Sequence, residues 1–459
     1  MTRYRSLRTL SLRPRTWIAP VLATWLLSAP AAAAPRVEES VQSAEPSAPS
    51  SEHAAAETLG FSPEALERLD ARLQRYVDEG ELVGGVLLVQ RYGQPAYHRA
   101  FGRRDREQGA VMQRDAIFRI ASQTKAIVSV AAMVLQEEGK LLISHPVGRY
   151  LPEYAETTVA VVNGEDGEAA YETVPATRPI TIRDLLTHTA GVSYGNGPAA
   201  AEWSGAGITG WYFADRDEPI RETVRRIAAL PFNAQPGAEF VYGYSTDILG
   251  AVVEVASGQP LDALLRDRIL DPLGMRDTHF YLPPDERGRL ATVYSLTSDG
   301  LQRAPDEGTM VSQGHYVDGP RRSFSGGAGL LSTARDYARF QQMLLQGGEL
   351  DGVRVLSPSS VELMTVNHVG ELFVWGAGTG FGLGFSVLLD LGARGTPGSV
   401  GEYAWGGAYH SAYWNDPEEQ LTVTYMTQLI PAGTVDDHQV IRALIYAALR
   451  SDSTGAASP

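Results

Sequence analysis

The stretch Phe118-Arg119-Ile120-Ala121-Ser122-Gln123-Thr124-Lys125-Ala126 puts a serine three residues before a lysine, at the head of a long apolar run. This is the Ser-x-x-Lys spacing of a serine nucleophile and its activating amine. If a helix begins near Ser122, the spacing sets the hydroxyl and the ammonium on one face, and the helix N-terminus adds partial positive charge beside both. A lysine so placed is pushed toward its neutral, proton-accepting form. Ser-x-x-Lys alone recurs by chance, as a helix cap with a solvated lysine. Here Ala126-Ile127-Val128-Ser129-Val130-Ala131-Ala132-Met133-Val134-Leu135 follows, apolar nearly all round, which reads as a helix buried inside a domain. A lysine at its entrance is partly desolvated.

Around this element the chain has an ordinary globular balance, 44% hydrophobic and 20% charged over 459 residues. Residues 1–34 differ: five arginines precede an apolar segment from Trp17 to Leu27, then Ser28-Ala29-Pro30-Ala31-Ala32-Ala33-Ala34. The segment is short for a membrane span and the small residues suit peptidase cleavage, so it reads as a signal peptide. The expected mature protein is periplasmic or secreted, with no stable membrane anchor. With no cysteine, it has neither a lipid-modified cysteine nor disulfides. Losing five arginines and no acid moves the formal charge from -15 to -20, which argues against nucleic-acid partners. No zinc-type Cys/His spacing, H-E-x-x-H, P-loop or G-x-G-x-x-G is present, so no metal or cofactor is expected.

Residues 35–57 are rich in Ser, Pro, Ala and Glu and are expected to be a disordered linker, and 451–459 a disordered tail. Between them lies one domain, 58–450. Ser62-Pro63-Glu64 opens an amphipathic helix through Leu66, Leu69, Leu73 and Val77, and Val83–Gly93 with Ala96–Gly102 reads as a hairpin. The middle of the chain is mostly helical: Ile182–Leu186, Glu222–Leu230, Thr246–Ser257 and Leu261–Ile269. Gly382–Leu389, Ala404–Trp414 and Leu421–Thr427 return to strand character before a helix over Val440–Leu449. The predicted fold class is α+β: an antiparallel sheet built from both chain ends and flanked by helices (about 58–135 and 325–450), with a mostly α-helical inserted region (about 136–324). The natural site is the cleft between these parts.

Three further stretches complete a constellation: Phe240-Val241-Tyr242-Gly243-Tyr244-Ser245-Thr246-Asp247, Phe324-Ser325-Gly326-Gly327-Ala328-Gly329, and Ala404-Trp405-Gly406-Gly407-Ala408. With Ser122 and Lys125, and with Ile182–Gly191 and Leu270–Met275, they resemble serine hydrolases of the class C β-lactamase and penicillin-binding-protein type. The nearer resemblance is to β-lactamase-fold carboxylesterases, called family VIII, and related acyltransferases. The resemblance implies a β-lactamase/transpeptidase-like fold and makes Tyr242, five residues before Asp247, the catalytic tyrosine. Tyr244 is the competing Tyr-Ser pair, otherwise a residue of the substrate site. Where penicillin-recognising relatives carry a basic triplet, this chain has Trp405-Gly406-Gly407, an apolar wall with one N–H donor in place of a cation. Gly406 and Gly407 are expected to let substrate lie against the strand, with the Ser122 and Ala408 amides as oxyanion hole.

The expected activity is cleavage of a small-molecule ester of a neutral or apolar acid through an acyl-enzyme. The alternatives are a β-lactamase or D,D-peptidase, and an idle binding protein on the same fold. Gly191-Val192-Ser193-Tyr194-Gly195 matches the G-x-S-x-G elbow but lacks the strand before and the helix after it. His188 and Asp184 read as loop-holding residues. Nothing in the sequence gives the oligomeric state.

Overall fold

The computed structural model describes residues 51–162, 171–308 and 310–450. The signal-peptide reading (1–34), the first part of the expected linker and the tail (451–459) fall outside these residues. The end of the expected linker is ordered: Ser51–Thr58 is a helix, and Ala56 is buried in one cluster with Phe61. Alanine is the best helix former and buries readily, so a lack of large apolar side chains was a poor sign of disorder here.

An eight-stranded antiparallel sheet carries the molecule. Its order is Thr379–Phe381, Ser386–Leu388, Tyr403–Gly407, Ser411–Asp416, Leu421–Met426, Gly84–Arg91, Gln94–Asp105, Ala110–Val111. The two chain ends meet at one seam, where Val86 pairs with Met426 and Arg91 with Leu421. Alternation along Gly84–Arg91 sends Val86 and Leu88 into the main core, and Leu87 and Val89 into a second core under the terminal helices. Pro63–Asp78 and Asp437–Ala448 cover that second face through Leu66, Leu69, Leu73, Ile441 and Ile445. The first of these helices starts where Ser62 Oγ accepts the Ala65 N–H at 3.3 Å, with Pro63 in its first turn.

Two expectations need correction. The strand read over Gly382–Leu389 is broken: Thr379–Phe381 and Ser386–Leu388 are joined by a turn in which the Gly382 N–H donates to the Phe385 carbonyl at 2.7 Å. The inserted region holds the expected helices, among them Ile182–Leu186, Ile220–Ile227 and Ser245–Ser257. It also holds two hairpins, Thr158–Val162 with Tyr171–Pro175 and Tyr294–Thr297 with Gly300–Arg303. Among the described residues no single helix is long and apolar enough to cross a membrane.

Candidate active site

Ser122 lies in a short 3-10 turn, Ala121–Gln123, that runs straight into the buried helix Thr124–Glu137. The turn is clamped from behind. Phe118–Arg119 pairs with Leu331–Ser332, the Ile120 N–H donates to the Leu330 carbonyl at 3.1 Å, and Thr124 Oγ1 accepts the Leu330 N–H at 3.1 Å. Ala121 is held at φ 40°, a conformation costly for a residue with a Cβ, which presents the next side chain outward.

Lys125 is 2% exposed. Its Nζ lies 3.2 Å from Ser122 Oγ, 2.9 Å from the Tyr194 hydroxyl and 2.8 Å from the Gly327 carbonyl oxygen. The last contact is fixed by Asp247, whose Oδ1 accepts from Ser325 Oγ (2.6 Å) and from the Gly327 N–H (3.1 Å). A Cβ at Gly327 would fall 2.4 Å from Asp247 Oδ2, so only glycine lets this loop close on the carboxylate. Burial raises the Asp247 carboxyl above its ordinary value, while the Ser325 bond and the Lys125 charge pull it back.

The two candidate tyrosines take different places. Tyr242 lines the cavity: its hydroxyl accepts the Trp405 indole N–H at 3.0 Å, and its ring face meets Lys125 Nζ at 4.6 Å. Tyr244 is fully buried, donates to the Gly210 carbonyl and stacks on Trp203 at 5.8 Å. The expectation that Tyr244 belongs to the substrate site is therefore corrected: it is a core aromatic behind Tyr194.

Tyr194 is the residue that sequence reasoning missed. It sits inside the G-x-S-x-G stretch, but the side chain entering the site is the tyrosine and not Ser193, whose hydroxyl is buried and donates to the Asn196 carbonyl at 3.0 Å. Burial first, then Tyr242 and Asp247, push the Tyr194 phenol well above its ordinary value, so it stays protonated. Gly243 brings the two tyrosine-bearing segments together, since a Cβ there would lie 2.3 Å from the Val192 carbonyl oxygen.

His188 and Asp184 form no relay with Ser122. Asp184 is gripped by Arg178 (2.6 and 2.9 Å) and closes the capping box of Ile182–Leu186. His188 is buried, accepts the Val241 N–H on its carbonyl at 2.8 Å and packs its ring 4.6 Å from that of Tyr242. Burial, then the Lys125 charge, hold its imidazole well below the ordinary histidine value, so it stays neutral.

A cavity of about 640 Å³ joins Ser122, Tyr194, Tyr242, Trp405, Gly407 and Ala408. Gly407 serves packing: a Cβ there would meet the Ile120 carbonyl oxygen at 2.5 Å and Ser411 Oγ at 2.6 Å, so its absence lets the strand Tyr403–Gly407 dock on the nucleophile turn. At Gly406 the obstacle would be the Ser411 carbonyl oxygen at 2.9 Å. Beside Trp405 stands an aromatic cluster unread in the sequence: Trp375 stacks on it at 6.0 Å, with Phe373, Phe381 and Phe240 packed around. Among the described residues, His410, Asp437 and His438 bring possible metal-ligand atoms within 4.8 Å of one another, and the two histidines line the cavity. Both Asp437 oxygens are already engaged, by His410 Nε2 and by the Tyr425 hydroxyl, each at 2.7 Å.

A serine hydroxyl, a buried lysine and tyrosines at the mouth of a helix, on an antiparallel sheet closed by both chain ends, define a serine hydrolase of the β-lactamase/transpeptidase fold. The sequence profile of the beta-lactamase family matches residues 69–446, and the chain belongs to that family. It is 37% identical over 396 residues to Protein Rv1367c of Mycobacterium tuberculosis, covering 81% of this chain and 92% of that protein. It is 34% identical over 389 residues to Esterase EstB of Burkholderia gladioli, covering 80% and 91%. The solved structure of EstCE1, described as a hydrolase with promiscuous acyltransferase activity, superposes with a TM-score of 0.74 at 31% identity, covering 86% of this chain and 100% of that one. These likenesses make the protein a serine hydrolase of the β-lactamase fold and of the family VIII esterase type.

Proposed function

We propose that this enzyme hydrolyses carboxylic esters of neutral or apolar acids through an acyl-enzyme on Ser122. The observation that carries the reading is the buried Lys125 Nζ, 3.2 Å from Ser122 Oγ, at the wall of an aromatic cavity. A neutral lysine amine has two N–H groups and one lone pair. The Gly327 carbonyl and the Tyr194 hydroxyl can take the two hydrogens, leaving the lone pair for the Ser122 proton.

Ser122 Oγ bonds to the ester carbonyl carbon as its proton passes to Lys125. The carbonyl oxygen becomes an oxyanion that accepts from the Ser122 and Ala408 amides. On collapse the C–O bond to the alcohol breaks and the leaving alkoxide takes the proton of the Tyr242 hydroxyl, leaving a Tyr242 phenolate whose charge the Lys125 ammonium at its ring face balances. Because the Tyr242 oxygen accepts from Trp405 Nε1, its own O–H is directed elsewhere, toward the leaving group. Water then attacks the acyl carbon and gives a proton to the Tyr242 phenolate, and the ester bond to Ser122 breaks as its Oγ takes back the proton held by Lys125; an alcohol in place of water gives transfer.

The preference for neutral acids rests on charge. Among the described residues lining the cavity, Arg442 is the one arginine, and it is tied to Glu402 at 2.7 and 3.0 Å. The Trp405 indole lines the same cavity with its one N–H already given to the Tyr242 hydroxyl, so it offers no cation to a substrate carboxylate. A panel of p-nitrophenyl esters beside nitrocefin tests this: short neutral esters should be cleaved well and the β-lactam poorly. A nitrocefin kcat/KM above that for p-nitrophenyl acetate or butyrate would establish the β-lactamase alternative. The arginine-rich start and the apolar run to Leu27 support export, and cell fractionation of the tagged protein tests it.

A further inference from the structure

The strands Tyr403–Gly407 and Ser411–Asp416 pair with Gly407 opposite Ser411, so Ala408, Tyr409 and His410 form a three-residue hairpin loop. Such loops end on a left-handed residue, the usual place for glycine. Here His410 holds it at φ 61°. A histidine at this position surrenders backbone ease, and the structure shows what its side chain supplies. His410 Nε2 meets Asp437 Oδ1 at 2.7 Å, and Asp437 is fully buried at the start of the helix Asp437–Ala448 with its other oxygen held by Tyr425. The His438 ring lies on the His410 ring at 4.1 Å. The same loop is gripped through its backbone: the Leu429 N–H and Thr427 Oγ1 both donate to the Tyr409 carbonyl at 3.1 Å, and Thr427 Oγ1 also reaches the His410 carbonyl.

Every one of these ties converges on the loop whose first residue is Ala408, next to the Gly407 that docks on the Ser122 turn. We infer that His410, locked to Asp437, is a positioning residue of the oxyanion hole: it holds the Ala408 amide in register with Ser122 without touching the reacting atoms itself. The inference rests on the acyl-enzyme reading above. An oxyanion donor acts on the tetrahedral state far more than on bound substrate, so loosening it lowers kcat and leaves KM nearly unchanged.

The test compares His410→Leu and His410→Gln in the full chain, with p-nitrophenyl butyrate turnover and inhibition by an alkyl boronic acid, whose adduct on the serine is tetrahedral. His410→Leu should lose ~10- to 100-fold in kcat, keep KM within about twofold, and weaken boronate inhibition in parallel with kcat. His410→Gln, which keeps an N–H donor for Asp437, should recover most of the loss. If His410→Leu does not fold, Thr427→Val, which releases the same loop from its other side, should give the same split. A kcat within twofold of wild type in His410→Leu, or a loss of kcat with boronate inhibition unchanged, or a KM that rises as much as kcat falls, overturns the positioning role. Ser122→Ala is assayed alongside: if it stays active the acyl-enzyme reading fails and the inference falls with it, whereas an inert Ser122→Ala with unaltered His410→Leu overturns the inference alone.

Discussion

The Tyr194 hydroxyl lies 2.9 Å from Lys125 Nζ, closer than the Ser122 hydroxyl at 3.2 Å. The lysine is thus oriented by a phenol that cannot easily ionise and by the carbonyl of Gly327, while the second tyrosine faces it only through its ring. Two tyrosines therefore meet the lysine where one motif position suggested a single one.

Tyr194→Phe removes the partner of one Lys125 hydrogen, and Tyr242→Phe removes the hydroxyl proposed to protonate the leaving group. Each should lower kcat for p-nitrophenyl butyrate by ~100-fold or more, the scale of acid-base assistance. Tyr244→Phe loses only the bond to the Gly210 carbonyl and should keep kcat within a few-fold, with a lower Tm. Wild-type kcat in Tyr194→Phe would remove it from the machinery.

Trp375 is 55% exposed and stacks on Trp405. Trp375→Ala should raise KM several-fold for esters of long-chain or aromatic acids and leave acetate nearly untouched, since only a large acyl group reaches that wall. An equal change for all acyl lengths would show that the ring does not contact substrate.

Trp405→Lys removes the donor to Tyr242 and introduces a cation. A desolvated cation contributes more to binding an anion than an exposed one, where the gain is about 1 kcal/mol or less. Activity on neutral esters should fall and acylation by a carboxylate-bearing β-lactam should rise. A variant unchanged on both, by steady-state kinetics, contradicts the role given to Trp405.

Much of this site was readable because its chemistry lies in local spacing. Ser122 and Lys125 are one helical turn apart, and the apolar run behind them announced a buried helix. The sheet was readable because Gly84–Arg91 and Leu421–Met426 both carry dense apolar sequence, as strands covered on two faces must. Tyr194 was not, because it reaches Lys125 from a loop 69 residues away, and no periodicity marks such a contact. Tyr244 misled for the same reason: two aromatics two residues apart point to opposite sides, and only packing on Trp203 shows which is inside. The aromatic wall of Phe373, Trp375 and Phe381 is assembled from a segment without regular structure at its apex, so its pattern carried no signal.

His279 gives a pH prediction independent of the chemistry. Burial, then the Arg266 charge, lower its imidazole to about 4, against roughly 6.5 unfolded. Below about pH 6.5 the unfolded chain binds a proton there that the folded protein refuses, so folding loses stability as pH falls, by about 2 kcal/mol at pH 5. The stability gap between wild type and His279→Gln, from urea unfolding, should therefore shift by that amount against wild type between pH 7.5 and 5. A gap that does not move with pH contradicts the shift.

The central claim is the covalent intermediate on Ser122, and acid-quenched enzyme caught during turnover of p-nitrophenyl butyrate tests it most directly. Peptide mass spectrometry should find the butyryl group on Ser122 in wild type, and none in Ser122→Ala or, at the same quench time, in Lys125→Ala. A butyryl group on Ser193 or another residue, or acylation that persists undiminished in Lys125→Ala, would contradict the account.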